Sequence, residues 1–355
     1  MPKPNNGKDN MKSTLYALFL LFAQLSYSQE AKSDFSYVDK RVAETKEEFT
    51  SYRDLAMGLT AHWEREDEKI RAIYFWIISN IDYYDQININ TNDAIRIGIN
   101  SVESEATFKK RMGKCTGYSS LFESMCNAVN LECYAIFGYA IDAHPCQIEE
   151  FSFYDHMWNC CRIDGRWCLM DLTWDSNTWR HTQSVDSLAF LVEPSKFIED
   201  HIPANPMWQL LDRPVSISSL CKVDHSTLHQ NEEIYSYNDS IIKWKRLPDI
   251  DKRVFDRYQC YTFNPIMCQP YGAALMEKGL DVAFGKSTNT DSLYINMDNG
   301  RDILVESLLY LKPYQVYINE DDYYFIKNDN VTSLKKRVLK TIRLIEKATL
   351  KMIKI

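Results

Sequence analysis

The chain lacks any apolar run near the length of about eighteen residues that a membrane-crossing helix needs, so no transmembrane helix is expected in the mature protein. It also lacks an excess of basic charge. The 41 Lys and Arg are outnumbered by 49 Asp and Glu, giving a net charge of −8. That balance argues against nucleic acid as a general partner. No C-x-x-C spacing occurs, and His144–Pro145–Cys146 is too sparse to make a zinc site, so no metal is expected. Residues 1–28 read as a leader followed by a signal peptide, Met11–Ser28. The short basic start at Met11–Lys12 precedes the apolar run from Leu15 to Leu25, and small residues follow at Ser26 and Ser28. No cysteine stands at that cleavage position, so a lipid anchor is not supported. Export to the periplasm or the outside is the expectation.

What is present is ample core material: 45% hydrophobic and 13% aromatic residues over 355 positions, enough for two folded units. Ten cysteines raise the question of disulfides in an exported protein. Free cysteine also packs as a small buried hydrophobe. Cys160 and Cys161 are adjacent on an expected strand and so point to opposite faces.

Chemistry concentrates in two stretches. In Gly113–Lys114–Cys115–Thr116–Gly117–Tyr118 a cysteine precedes Leu121, Phe122, Met125 and Val129, an apolar set at helical spacing. Cys115 therefore sits at or near the first turn of a helix, where unpaired N–H groups and the helix dipole favour a thiolate. Further along, Asp164–Gly165 is a hairpin turn between apolar, aromatic-rich runs. Counting outward from that turn sets Asp171 roughly opposite residue 158, on the same sheet face as His156. His156 and Asp171 are then diagonal neighbours across the ladder. An imidazole oriented by a carboxylate, with a thiol in reach, is the arrangement of nucleophilic acyl transfer. The remaining histidines, His62, His144, His181, His201, His225 and His229, show no comparable setting in the sequence.

Three pieces, Gly113–Lys114–Cys115–Thr116–Gly117–Tyr118, His156–Met157–Trp158–Asn159 and Asp171–Leu172–Thr173–Trp174–Asp175, resemble the transglutaminase-like superfamily in its microbial and kyphoscoliosis-peptidase-like branch. Met157 departs from the small residue usual there. Glu68 to Ile77 and Asn80 to Tyr83 resemble the helix that precedes the cysteine in this branch, and the likeness extends over about residues 35–220. The resemblance implies a papain-like α+β core, with the nucleophile helix packed on an antiparallel sheet. It implies Cys115 as nucleophile, His156 as base and Asp171 as orienter, with Trp158, Trp174, Trp76 and Tyr118 as substrate-cleft candidates. It implies no cofactor, and no acidic loop supports a calcium requirement. The expected partner is a protein or peptide substrate. A cysteine peptidase or amidase working through a thioester comes first; a cross-linking transglutaminase and a silent binding module are the alternatives.

The expected organisation follows from these pieces. Residues 29–110 form the N-terminal helical part of the core, with one short helix in 30–60, a helix over 61–82 and a loop over 85–105. Residues 111–222 form the catalytic core, with strands at 131–142 and Leu188–Val192. Short aromatic or β-branched runs at Tyr258–Phe263, Leu280–Phe284, Ser292–Met297, Ile303–Leu311 and Tyr314–Ile318 suggest a small β-sandwich over 223–330. Residues 331–355 make a basic amphipathic helix. It docks on its own acidic domain or frays in the favoured reading, with contact to a membrane surface as the lesser one.

Overall fold

The computed structural model describes residues 34–46, 48–83, 104–140, 154–176, 189–215, 234–264, 268–285, 290–311 and 328–352. The expected leader and signal peptide over residues 1–28, most of the expected loop over 85–105, and the run Tyr314–Ile318 lie outside them. The chain divides into two units, residues 1–47 and 48–355. The first has one described helix, α1 (Ser36–Ala43).

The second unit begins with α2 (Tyr52–Thr60), whose start is capped by Ser51 Oγ accepting from the Asp54 amide. In α3 (Glu66–Asn80) three acidic residues occupy the first turn, where the helix dipole favours them. Its apolar residues Ile70, Ile73, Trp76 and Ile77 are buried, as is Ile81 just beyond it. A short parallel pair, β1 (Asp82–Tyr83) with β2 (Met112–Gly113), and the helix α4 (Ser104–Lys110) lead to the long helix α5 (Cys115–Ala128). Four strands follow: β3 (Cys133–Ala140), β4 (His156–Ile163), β5 (Arg166–Met170) and β6 (His201–Pro203). They form one antiparallel sheet in the order β5-β4-β3-β6. The β4–β5 turn has Asp164 at φ +49 and Gly165 at φ +83. Both are left-handed, as a two-residue turn matched to strand twist requires. The ladder pairs Ile163 with Arg166 and Asn159 with Met170, which sets Asp171 level with Trp158.

Helix α5 packs on one face of the sheet, against β3 and β4. The other face is aromatic: Ile136, Trp158, Cys160 and Leu169 meet Phe197 from α6 (Pro194–Phe197) and Met207 and Trp208 from a 3-10 turn, Pro206–Gln209. The expected strand at Leu188–Val192 is not one. Its described residues, 189–192, form a bend in which Leu191 has φ +52, joined to β5 by a single bridge between Leu169 and Val192. The expected single helix within 30–60 is two, α1 and α2.

The expected β-sandwich over 223–330 is corrected by the structure: the described part of that region is helical. It contains α7 (Tyr237–Lys245), α8 (Asp249–Phe263), α9 (Cys268–Phe284) and α10 (Thr290–Tyr310), followed by the long C-terminal α11 (Asn328–Met352). The apolar runs are too short to fix a period. In fact Met297, Gly300, Leu304, Ser307 and Leu311 recur at helical spacing and face α9 and α11. A Cβ on Gly300 would lie 2.5 Å from the Ala283 Cβ, so α9 and α10 approach too closely for any side chain there. Val338, Ile342 and Ile345 of α11 pack into the same cluster, so the basic helix docks on its own chain. Helices α7 and α8 close the aromatic face of the sheet through Ile241, Trp244 and Phe255. No helix of the described residues is long and apolar enough to cross a membrane.

Candidate active site

Cys115 is the first residue of α5. The preceding N-cap, Lys114, is extended and makes no side-chain cap to the first turn. The first N–H groups of a helix have no partner within it. Helix α4 lies against this turn through Thr107. A Cβ on Gly117 would stand 2.7 Å from Thr107 Oγ1, which explains the glycine that follows the cysteine. Ser119 Oγ donates to the Met157 carbonyl at 3.0 Å, and Asn159 Nδ2 donates to the Ser119 carbonyl at 3.0 Å. These buried bonds tie the helix that carries Cys115 to the strand that carries His156. Met157 itself is buried.

His156 opens β4, and Asp171 follows the last residue of β5. The His156 Nε2–H donates to Asp171 Oδ2 at 2.6 Å. With Nε2 committed, Nδ1 is the nitrogen left for the Cys115 proton. The other oxygen, Asp171 Oδ1, accepts from the Thr173 amide at 2.8 Å and from Thr173 Oγ1 at 2.5 Å. The Asp171 backbone is held as well. Its N–H donates to the Ala189 carbonyl at 2.8 Å, and the Tyr74 hydroxyl of α3 lies 3.0 Å from its carbonyl and 2.8 Å from Asp175 Oδ2.

The electrostatics follow from these contacts. Burial disfavours charge on the His156 ring, but the Asp171 charge, its hydrogen bond and the Cys115 thiol outweigh it and push the imidazole up to about 10. Burial would raise Asp171, yet His156 and His201 together hold its carboxyl far below the usual carboxylate range. Asp175 moves the other way. Burial outweighs its bonds to Tyr74 and to the Ala189 amide and raises it to about 6. The result is a partly exposed cysteine and imidazole backed by a buried carboxylate held well below the usual carboxylate range.

The structure sets Asp171 against His156 at 2.6 Å, with Cys115 near enough to the ring to contribute to its raised pKa. It distributes the aromatic candidates differently. Trp174 is 36% exposed and lies beside the site. Trp158 is fully buried beneath it. Tyr118 is also buried, with its hydroxyl bonded to the Ile81 carbonyl and 3.1 Å from Ser176 Oγ, so it braces the core. Trp76 is nearly buried under the Arg111 guanidinium, 4.4 Å from the ring centre.

Sequence reasoning passed over His201, and the structure corrects that. Its Nε2 lies 3.1 Å from Asp171 Oδ2, the oxygen that His156 uses, and its Nδ1 lies 2.6 Å from Asp200 Oδ1. The only local signal was the adjacent Asp200–His201 pair; its proximity to Asp171 depends on β6 pairing with β3. Two groups among the described residues bring three possible metal-ligating atoms within 4.8 Å of one another: His156, Asp171 and His201, and the buried thiols Cys126, Cys133 and Cys161. Burial pushes all three thiols well up, which keeps them neutral and makes them good core packing. Among the described residues, Cys115, Cys126, Cys133, Cys160, Cys161 and Cys260 are free thiols.

Residues 53–172 match the transglutaminase-like superfamily. This segment is a transglutaminase-like domain. Its matched span contains Cys115, His156 and Asp171 and ends one residue after the last of them. The chain is 33% identical to kyphoscoliosis peptidase of Mus musculus over 185 residues, which is 50% of this chain and 27% of that protein. It is 27% identical over 207 residues to the Lim and transglutaminase domain protein ltd-1 of Caenorhabditis elegans, covering 52% of this chain and 27% of that one. The chain thus spans about a quarter of the length of these curated relatives. A crystal structure of a TGase aligns with 44% of this chain and 37% of that chain, at 14% identity and a TM-score of 0.24.

Proposed function

We propose that the protein carries out thiol-dependent acyl chemistry on protein amide bonds, with hydrolysis as its first activity. The observation that carries this reading is the 2.6 Å contact between His156 Nε2 and Asp171 Oδ2, with Cys115 at a helix start beside the same ring. The reading is also supported by likeness to a named peptidase over half of the chain.

The steps follow from the geometry. Nδ1 of His156 holds the proton that the thiol has given up, and the sulfur attacks an amide carbonyl carbon. The Cys115 backbone N–H, at the open helix start, donates to the developing oxyanion. The C–N bond breaks as the imidazolium gives its proton to the leaving nitrogen, leaving a thioester on Cys115. His156 then deprotonates an attacking water, the C–S bond breaks, and the thiol is restored. An amine in place of water would yield a new amide, which is the transglutaminase alternative.

A thiol-reactive probe at neutral pH, with Cys115→Ser as control, tests the nucleophile. The expected result is labelling of Cys115 well ahead of a free model thiol and of every other cysteine. A rate no faster than the model thiol would leave only a binding module. Weighing the products from a glutamine peptide, with and without an added amine, separates hydrolysis from transfer.

A further inference from the structure

The reacting pair is backed by a second histidine whose surroundings are as specific as those of the first. The His201 side chain is 2% exposed, and a carboxylate oxygen faces each ring nitrogen, Asp171 at 3.1 Å and Asp200 at 2.6 Å. A neutral imidazole has a single N–H and would turn a lone pair toward one of these anions. Only the imidazolium donates to both. The ring faces suit a cation too. Phe197 stacks on it with centroids 4.2 Å apart, Trp174 lies at 4.2 Å, and Trp158 meets it edge-on at 5.1 Å.

The reaction cycle shows why such a cation matters. Asp171 is buried, and a buried carboxylate needs a counter-charge. His156 supplies one only while it holds the proton. When it passes that proton to a leaving nitrogen, Asp171 would be left as an unpaired anion, and that cost would oppose the transfer. A fixed charge on the same oxygen keeps Asp171 paired through both states and weakens its hold on the His156 proton. We propose that His201 is a positioning residue, an imidazolium clamped between Asp171 and Asp200 that holds the Asp171 carboxylate toward His156 and keeps it neutralised when His156 is not charged. This rests on the reading of Cys115, His156 and Asp171 as a reacting group. The charged and titratable groups around the clamp are Asp171, Asp200 and His156, Cys115 through His156, Asp175 and Arg71 behind Asp171, and Lys196 beside Asp200.

The test is ring-nitrogen NMR of the full chain labelled in histidine, with assignments from His156→Gln and His201→Asn. At about pH 8, well above the ordinary histidine range near 6.5, both His201 nitrogens should read as an imidazolium. The His156 titration midpoint should rise by on the order of one pH unit in His201→Asn, as expected for removal of a neighbouring cation in a partly buried site. Asp200→Asn changes a half-exposed side chain and decides the matter if His201→Asn fails to fold. It should shift the His156 midpoint in the same direction by less. A neutral His201 ring at that pH, or a His156 midpoint unmoved in every folded variant, overturns the proposal. The midpoints are read without substrate or probe, so an inert Cys115 would defeat the proposed function while leaving this result to stand or fall by itself.

Discussion

Cys115 and Cys126 lie on the same helix and meet opposite surroundings. Cys115 occupies the first turn of α5, is half-buried, and lies beside the His156 ring, whose pKa it helps to raise. Cys126, near the other end, is buried with Cys133 and Cys161 between helix and sheet, where burial pushes every thiol up. Each group contains three ionisable side chains in close contact. At one the contacts create charge, because a carboxylate fixed by Thr173 and His201 faces an imidazole. At the other a neutral amide, Asn159 Nδ2, lies 3.9 Å from Cys133 Sγ, and the buried sulfurs serve as apolar filling. What separates a reactive thiol from a structural one here is the partner across the sheet, and the helix end at which the thiol sits.

The largest break in that comparison should come from His156→Gln. It is expected to slow labelling of Cys115 at neutral pH by about 100-fold, the lower end of what a positioned base contributes. Cys126→Ala should leave that rate within about twofold and lower stability by about 1 kcal/mol through the small cavity it opens. Mass-resolved labelling and urea unfolding on the two variants check both halves.

Close glycine contacts sharpen the contrast between the core and the C-terminal helices. Gly300→Ala places a Cβ within 2.5 Å of the Ala283 Cβ. It should cost about 1–3 kcal/mol by overpacking without changing the labelling rate of Cys115. Gly117→Ala, against Thr107, should cost a comparable amount and slow labelling as well, because it displaces the turn that bears the sulfur. A variant at Gly300 that slowed labelling as much would show the two regions to be coupled.

The smallest expected effect is on stability against pH. The Asp171 carboxyl is held low in the folded state, so its contribution is present above the ordinary carboxylate range and is lost as pH falls below about 4. His156 is raised to about 10, so its contribution is complete below the ordinary histidine pKa and fades as pH climbs toward that value. The pair therefore stabilises most between about pH 4 and 6.5. Asp175, raised to about 6, opposes this, because the folded state pays to ionise it as pH rises from about 4. Thermal midpoints of the wild type and Asp171→Asn, compared at about pH 5 and pH 9, should differ more at the lower pH.

The parts of the site that could be read from the sequence were local. Asp164–Gly165 dictates a two-residue turn, the turn dictates the register, and the register sets Asp171 level with Trp158 on the face of His156. The apolar period after Cys115 likewise marks the start of α5. The C-terminal helices escaped because their pattern is broken by glycine at the points of closest approach: Gly300 looks like a break along the chain and is a contact point between helices. Tyr74 and Ser119 looked like ordinary helix residues, and only packing shows that they hold Asp171 and Met157.

By itself, then, the sequence determined the nucleophile helix, the hairpin and the face on which histidine and aspartate meet, since turn chemistry and side-chain periodicity act over a few residues. Only the tertiary structure decided that a second imidazole closes on the same carboxylate, which of the aromatic residues near the site is exposed, and that the C-terminal region is helical. Those outcomes depend on strand order and on distances between segments far apart in the chain, which no local pattern encodes.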